Sequence, residues 1–214
     1  METKKDDSTL GQKCLNCWKD PVLCLCSEIE VLSTSKRILI LQHPQESRNP
    51  FTTARLISLS IPNTIHNVGL SWRSLTAALG EKQPVDPKEW AVLYVGTQKN
   101  FDVSDDIPFQ ILSPRKEKLN PRAIRGIVLL DGNWKQSKTL WWRNPWLLKL
   151  NRIFIRPGEQ SKFGKVRKEP RRDCLSTLEA TSETLTAMGE NVKEPLERLL
   201  EKHIAKLLEA SAKR

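Results

Sequence analysis

Residues 126–136, Gly-Ile-Val-Leu-Leu-Asp-Gly-Asn-Trp-Lys-Gln, constrain this chain more than any other stretch. Consecutive aliphatic residues without polar alternation read as a strand buried on both faces, as in the sheet of an α/β protein. Asp131 ends the strand, Gly132 permits a sharp turn, and Asn133 can cap a helix running over 135–142. In an open α/β sheet, ligands bind at strand carboxyl ends beside helix N-termini. Asp131 is therefore a catalytic or ligand-orienting carboxylate, with a plain helix cap as the alternative.

The rest of the chain supplies further strands and helices. Strands are expected at 37–42, 65–70, 90–95 and 152–155, with a short edge segment at 109–112. Helical spacing marks 51–59, a segment capped by Ser71 and running to Leu79, a helix opened by Ser176 or Thr177, and 191–212. The last has an apolar stripe of Leu196, Leu199, Leu200, Ile204, Leu207 and Leu208. His43 follows the first strand and could act as a base or contact a phosphate, or be a structural histidine. Trp134, Trp141, Trp142 and Trp146 lie close together, and most are expected in the core.

Five cysteines are present, and four of them fall at Cys14, Cys17, Cys24 and Cys26. A Cys-x-x-Cys knuckle followed by Cys-x-Cys offers four thiolates to one tetrahedral zinc, a structural site without an open position. Free or redox thiols are the alternative. Such an ion should tie the N-terminal segment to the sheet, away from Asp131.

The formal charge is +10, from 35 Lys and Arg against 25 Asp and Glu, which favours a polyanionic partner, nucleic acid ahead of membrane. The first residues are polar, and no apolar run approaches the ~20 residues that span a bilayer. A cytoplasmic protein is expected, monomeric rather than oligomeric. Residues 152–172 hold eight basic groups against Glu159 and Glu169. Lys165, Arg167 and Lys168 sit in what reads as a loop fit to grip an RNA backbone, with a merely solvated face as the alternative.

Cys14-x-x-Cys17, Cys24-x-Cys26, Gln42-His43-Pro44-x-Glu46, Leu130-Asp131-Gly132-x-Trp134 and Ser176-Thr177-Leu178-Glu179-Ala180 occur together and in this order. The ordered set resembles the DTW-domain family of tRNA-uridine aminocarboxypropyltransferases, over roughly residues 12–190. The family usually has threonine where this chain has Asn133, and often an asparagine-threonine pair where Asn49 and Thr52 here stand apart.

The resemblance implies a SPOUT-like α/β domain with a central, mostly parallel sheet and a C-terminal knot, over 31–214. A cysteine-rich zinc-binding segment at 12–30 and a flexible tail at 1–11 precede it. It also implies transfer of the 3-amino-3-carboxypropyl group of S-adenosylmethionine to N3 of a tRNA uridine, leaving methylthioadenosine. On this reading Asp131 is the catalytic base. Gly96, Thr97, Leu130, Gly132, Arg55 and Glu179 contact adenosylmethionine. His43, Trp134, Lys165, Arg167 and Lys168 contact the RNA. The competing readings are the same transfer or a methyl transfer onto ribosomal RNA, and a non-enzymatic zinc-containing RNA-binding module.

Overall fold

The computed structural model describes residues 13–94, 107–156, 160–166 and 175–212, leaving aside the side chain of Lys165. Gly96, Thr97, Arg167 and Lys168 therefore lie outside the described residues. The strands are β1 (Arg37–Gln42), β2 (Thr64–Val68), β3 (Trp90–Leu93), β4 (Phe109–Leu112), β5 (Gly126–Asp131) and β6 (Asn151–Ile155). They form one sheet in the order β2-β1-β5-β3-β6-β4. Every pairing is parallel except β4 with β6, at one edge. This is the mostly parallel α/β sheet that the resemblance implies, with the aliphatic run of β5 at its centre.

All six residues of β5 are buried, because helices cover both faces of the strand. One face packs Ile38, Ile40, Ile127 and Leu129 against α1 (Ala54–Ser60), α4 (Thr177–Ala187) and α5 (Lys193–Ala212). The opposite face packs Leu39, Leu41, Val128 and Leu130 against α2 (Leu75–Leu79), α3 (Trp134–Arg143) and the turn carrying Trp146 and Leu147. Gly126 stands opposite Trp90 in the β3–β5 register, and a Cβ there would lie 2.6 Å from the indole. The fully buried Trp90 ring thus requires glycine at the start of the central strand.

This arrangement sets the position of the site. β1 and β5 are neighbours, yet β1 continues into α1 on one face and β5 into α3 on the other. Their diverging connections open a crevice at the carboxyl ends, the usual ligand position in open α/β sheets. The register pairs Gln42 with Asp131 at that edge.

Several sequence expectations change in detail. The helix expected from Ser71 starts at Leu75 with Ser74 as its cap. Residues 71 and 72 are occupied by tertiary bonds instead: the Ser71 hydroxyl donates to the Arg143 carbonyl, and the Trp72 amide to Asn144 Oδ1. Of the four clustered tryptophans, Trp146 is core, whereas Trp142 is 77% exposed and Trp134 36%. The α5 stripe buries Leu196, Leu199, Leu200, Ile204 and Leu207, but Leu208 faces out and His203 is fully buried instead. No helix among the described residues is long and apolar enough to cross a membrane.

Candidate functional site

Asp131 is buried, and both its oxygens are held. Oδ1 accepts from the Thr177 hydroxyl, the first helical residue of α4. Oδ2 accepts from Gln42 Nε2 at 2.7 Å and from the Thr52 hydroxyl at 3.4 Å. Gln42 Nε2 also donates to Thr52 Oγ1 at 2.9 Å, and its Oε1 meets His66 Nε2 at 3.2 Å. This fixes the amide orientation, since the reverse would set a carbonyl oxygen against the carboxylate. It also fixes the histidine: Nε2 carries the proton and donates. Burial, with Arg55 nearby, holds His66 down at about 4, so the ring is neutral at physiological pH.

Burial raises the Asp131 pKa above the usual carboxylate value, opposed by the Thr177 and Gln42 hydrogen bonds. Nearby Glu46, itself buried, pushes in the same direction as burial. The result is a carboxylate harder to ionise than normal, aligned by donors at the N-terminus of an eleven-residue helix. Such a group can orient a ligand or take a proton. Gln42, Thr52 and Thr177 were not among the sequence candidates. Gln42 and Thr177 do stand inside two of the ordered motifs, at the end of a strand and at the start of a helix, but neither position says that the side chain meets Asp131.

The turn after Asp131 follows from its sequence. A Cβ at Gly132 would meet Gln136 Cβ at 2.7 Å, so the first turn of α3 can close onto the end of β5 only around glycine. Asn133 Oδ1 accepts from the Gln136 amide at 3.0 Å, and Gln136 Oε1 accepts from the Asn133 amide at 2.7 Å. This is a complete capping box for α3, with asparagine in the position expected to cap. His43 donates its backbone N–H to the Asp131 carbonyl at 2.9 Å, and its Nδ1 accepts from the Gln45 amide at 3.2 Å. Trp134 begins α3 beside this turn, with Lys138 Nζ 5.0 Å from its ring centroid.

The structure thus brings Asp131, Gly132 and His43 together at the β1 and β5 strand ends, with Trp134 at the start of α3 just beyond and Leu130 buried. Two other candidates hold elements in place. Glu179 accepts from the Ser176 amide and the Ser161 hydroxyl, both at 2.8 Å, and from the Lys162 amide at 2.8 Å. It completes the α4 capping box and anchors the turn that follows β6. Arg55 donates from Nε to the Asn16 carbonyl at 2.7 Å and lies 4.3 Å from the Trp18 ring centroid. In the basic run, Arg152 is a buried strand residue and Lys162 pairs with Glu201 at 2.8 Å. Those two charges are built into the fold.

Cys14, Cys17, Cys24 and Cys26 place their sulfurs within 4.8 Å of one another. Cys14 and Cys26 Sγ are 3.6 Å apart, and Cys17 and Cys24 Sγ 3.7 Å. Four ligands about 2.3 Å from a tetrahedral zinc stand about 3.8 Å from each other, so the cluster can chelate such an ion. Backbone N–H groups of Cys17 and Asn16 hold Cys14 at about 6, while burial pushes Cys26 up to about 12.

Lys19 links the cluster to the segment beside Asp131. Lys19, two residues after Cys17, is buried and donates to the carbonyls of Pro50 at 2.9 Å and Thr52 at 2.8 Å. Its third partner is His203 Nε2 at 3.3 Å. Burial brings Lys19 down to about 8, against the pull of Cys17 and Asp131. The knuckle is therefore pinned to the segment whose Thr52 hydroxyl contacts the carboxylate.

A family model described as "DTW domain" matches residues 11–208. The tRNA-uridine aminocarboxypropyltransferase A of Arabidopsis thaliana is 26% identical over 230 residues, covering 95% of this chain and 84% of that protein. The tRNA-uridine aminocarboxypropyltransferase 2 of Drosophila melanogaster is 25% identical, covering 86% of this chain and 69% of the other. For the Macaca fascicularis protein of the same name the identity is 26%, and the match covers 88% of this chain but only 61% of that protein. No solved structure matches. With its cysteine cluster, strand-end aspartate and capped helices all inside the matched span, the chain belongs to the DTW domain family.

Proposed function

We propose that this chain transfers the 3-amino-3-carboxypropyl group of S-adenosylmethionine to N3 of a uridine in tRNA. The products are 3-(3-amino-3-carboxypropyl)uridine and methylthioadenosine. The observation that carries the reading is the aligned, buried carboxylate of Asp131 in the β1–β5 crevice of a DTW-family chain. The relatives' names supply the group transferred and the nucleoside.

Bound adenosylmethionine supplies a γ-carbon activated by the adjacent sulfonium, so the carbon–sulfur bond breaks as the bond to N3 forms. The residues of this chain position and deprotonate. The target base leaves its stack and enters the crevice beside His43 and Trp134. Asp131 accepts the N3 proton as attack proceeds. To do so it gives up one donor, and the Thr52 hydroxyl, at 3.4 Å the longest of the three contacts, is the one that gives way. Gln42 and Thr177 keep the carboxylate aimed. Leu130 and Gly132, with Gly96 and Thr97, contact adenosylmethionine, in a SPOUT-like domain with a C-terminal knot. Thr177 follows β6 in the chain yet meets β5, two strands away, which suits a segment threaded back across the strand ends.

In this reading the cysteine cluster holds structural zinc and the protein acts as a cytoplasmic monomer. Lys165, Arg167 and Lys168 engage tRNA phosphates. Methylthioadenosine release, followed chromatographically, should require adenosylmethionine and unmodified tRNA together. Release that is equally fast without RNA, or absent with it, would refute the proposal.

A further inference from the structure

The outer surface of the cysteine knuckle carries one residue that is out of keeping with its position. Trp18 follows the second cysteine directly and has φ 61°, in the left-handed region where glycine is at ease and a bulky side chain is strained. Two backbone bonds enforce the turn: Trp18 N–H donates to the Cys14 carbonyl and Cys14 N–H to the Lys19 carbonyl, each at 2.8 Å. The knuckle needs this conformation, yet the sequence places the largest side chain in it. Core packing is not the reason, since the residue is 39% exposed.

The ring is instead set up as a platform. The Arg55 guanidinium lies 4.3 Å from its centroid, anchored by Nε to the Asn16 carbonyl. The His66 ring leans on it, centroids 5.6 Å apart. His66 bonds Gln42, and Gln42 bonds Asp131. The exposed indole thus stands one imidazole and one amide from the proposed base. A cleft between the knuckle and residues 47–52 runs alongside, its lining including Lys13, Trp18, Arg48, Asn49 and Pro50, with Asp20 as its one acidic residue. Lys13 and Arg48 are exposed and enter no ion pair among the described residues.

We propose that Trp18 is a stacking platform for an unpaired base of the RNA substrate, with Lys13 and Arg48 taking the phosphates beside it. The inference rests on the RNA-modifying reading and deepens it by adding a specific contact surface. Proteins hold splayed nucleotides on exposed aromatic rings backed by arginine and flanked by cations. Backbone strain retained at a solvent-facing residue is characteristic of ligand clamps. Leu15 and Val22 are also exposed on this segment, but they offer an apolar surface without charge, and the free cations beside the indole favour RNA over a protein partner.

Trp18→Gly separates this role from a structural one, because glycine suits φ 61° better than tryptophan does. The metal-loaded full-length variant should keep its metal content and its melting temperature. Its affinity for unmodified tRNA, read by fluorescence anisotropy, should fall about 5- to 150-fold, the loss of one base–aromatic stack. In turnover, KM for tRNA rises while kcat changes little. Trp18→Phe keeps a stacking face and stays within a few-fold of the parent. Arg48→Gln makes the salt dependence shallower by about one phosphate contact, whereas Trp18→Gly leaves the slope unchanged. If the parent binds tRNA and Trp18→Gly binds within twofold of it, this inference is wrong and the ring serves another contact, such as a protein partner. Loss of metal or a lower melting temperature in Trp18→Gly would equally overturn it, by making the ring a structural plug. A parent protein that does not bind tRNA would remove the functional reading as well.

Discussion

Thr177→Val removes one hydroxyl and leaves the side chain's shape, where α4 meets Asp131. The lost bond serves a buried carboxylate, and hydrogen bonds to charged groups contribute about 1.5–3 kcal/mol. The Thr177 donor stabilises the charged form, so its removal raises the Asp131 pKa further. The folded-state pKa already lies above the unfolded value, so ionisation of Asp131 opposes folding. That penalty is absent below the unfolded pKa and grows as pH rises through the folded one. The variant should therefore lose about 1.5–3 kcal/mol in urea denaturation at about pH 7, and less at about pH 4.5, where Asp131 carries more of its proton. If the ionised carboxylate takes the N3 proton, the acid limb of kcat/KM for tRNA moves to higher pH. A destabilised variant whose acid limb stays in place would refute the base role and leave Asp131 a structural node. Unchanged stability would refute the energetic reading of the bond itself.

Three further outcomes follow from the same geometry. Cys14→Ser should abolish stoichiometric zinc, seen by elemental analysis, and lower the melting temperature more than it alters turnover by the surviving folded enzyme; gently purified parent protein without metal would contradict the cluster's assignment. Changing Lys165, Arg167 and Lys168 together to glutamine should weaken tRNA binding several-fold and make its salt slope shallower by about 2–3, with adenosylmethionine affinity unaffected; equal tRNA affinity at low salt would move the phosphate grip elsewhere. His203, held at about 3 by burial and by the Lys19 charge, favours its neutral form in the fold. Its contribution is complete above the unfolded pKa near 6.5 and is lost as pH falls toward 3, about 3 kcal/mol by about pH 4.5. His203→Leu should flatten that acid limb in denaturation curves, and an unchanged limb would contradict it.

The central strand and its aspartate were legible because the signals are local: an aliphatic run, a glycine that nothing larger can replace, and an asparagine that caps. The cysteine cluster was legible for the same reason, since its ligands lie within thirteen residues of one another. The partners of Asp131 were not. Gln42 reaches it only through the parallel register of β1 with β5, and Thr177 only through the return of the chain after β6. No periodicity encodes either pairing. The link from the knuckle to the site was hidden likewise, because Lys19 reads as an exposed charge until the Pro50 and Thr52 carbonyls and His203 close around it. The tryptophans misled for the opposite reason. Helical spacing puts Trp134 and Trp141 on one side of α3, yet Trp141 packs against the cluster of Leu140 and Trp146 while Trp134 is 36% exposed, a difference that only tertiary packing decides.

The central claim is tested most directly by supplying the protein with unmodified tRNA and adenosylmethionine labelled either in the carboxyl group or in the methyl group. The account predicts that carboxyl label enters the RNA, that mass spectrometry locates the added group on N3 of a uridine, and that methyl label leaves as methylthioadenosine. Methyl label in the RNA, or no label in it from either donor, would contradict the account.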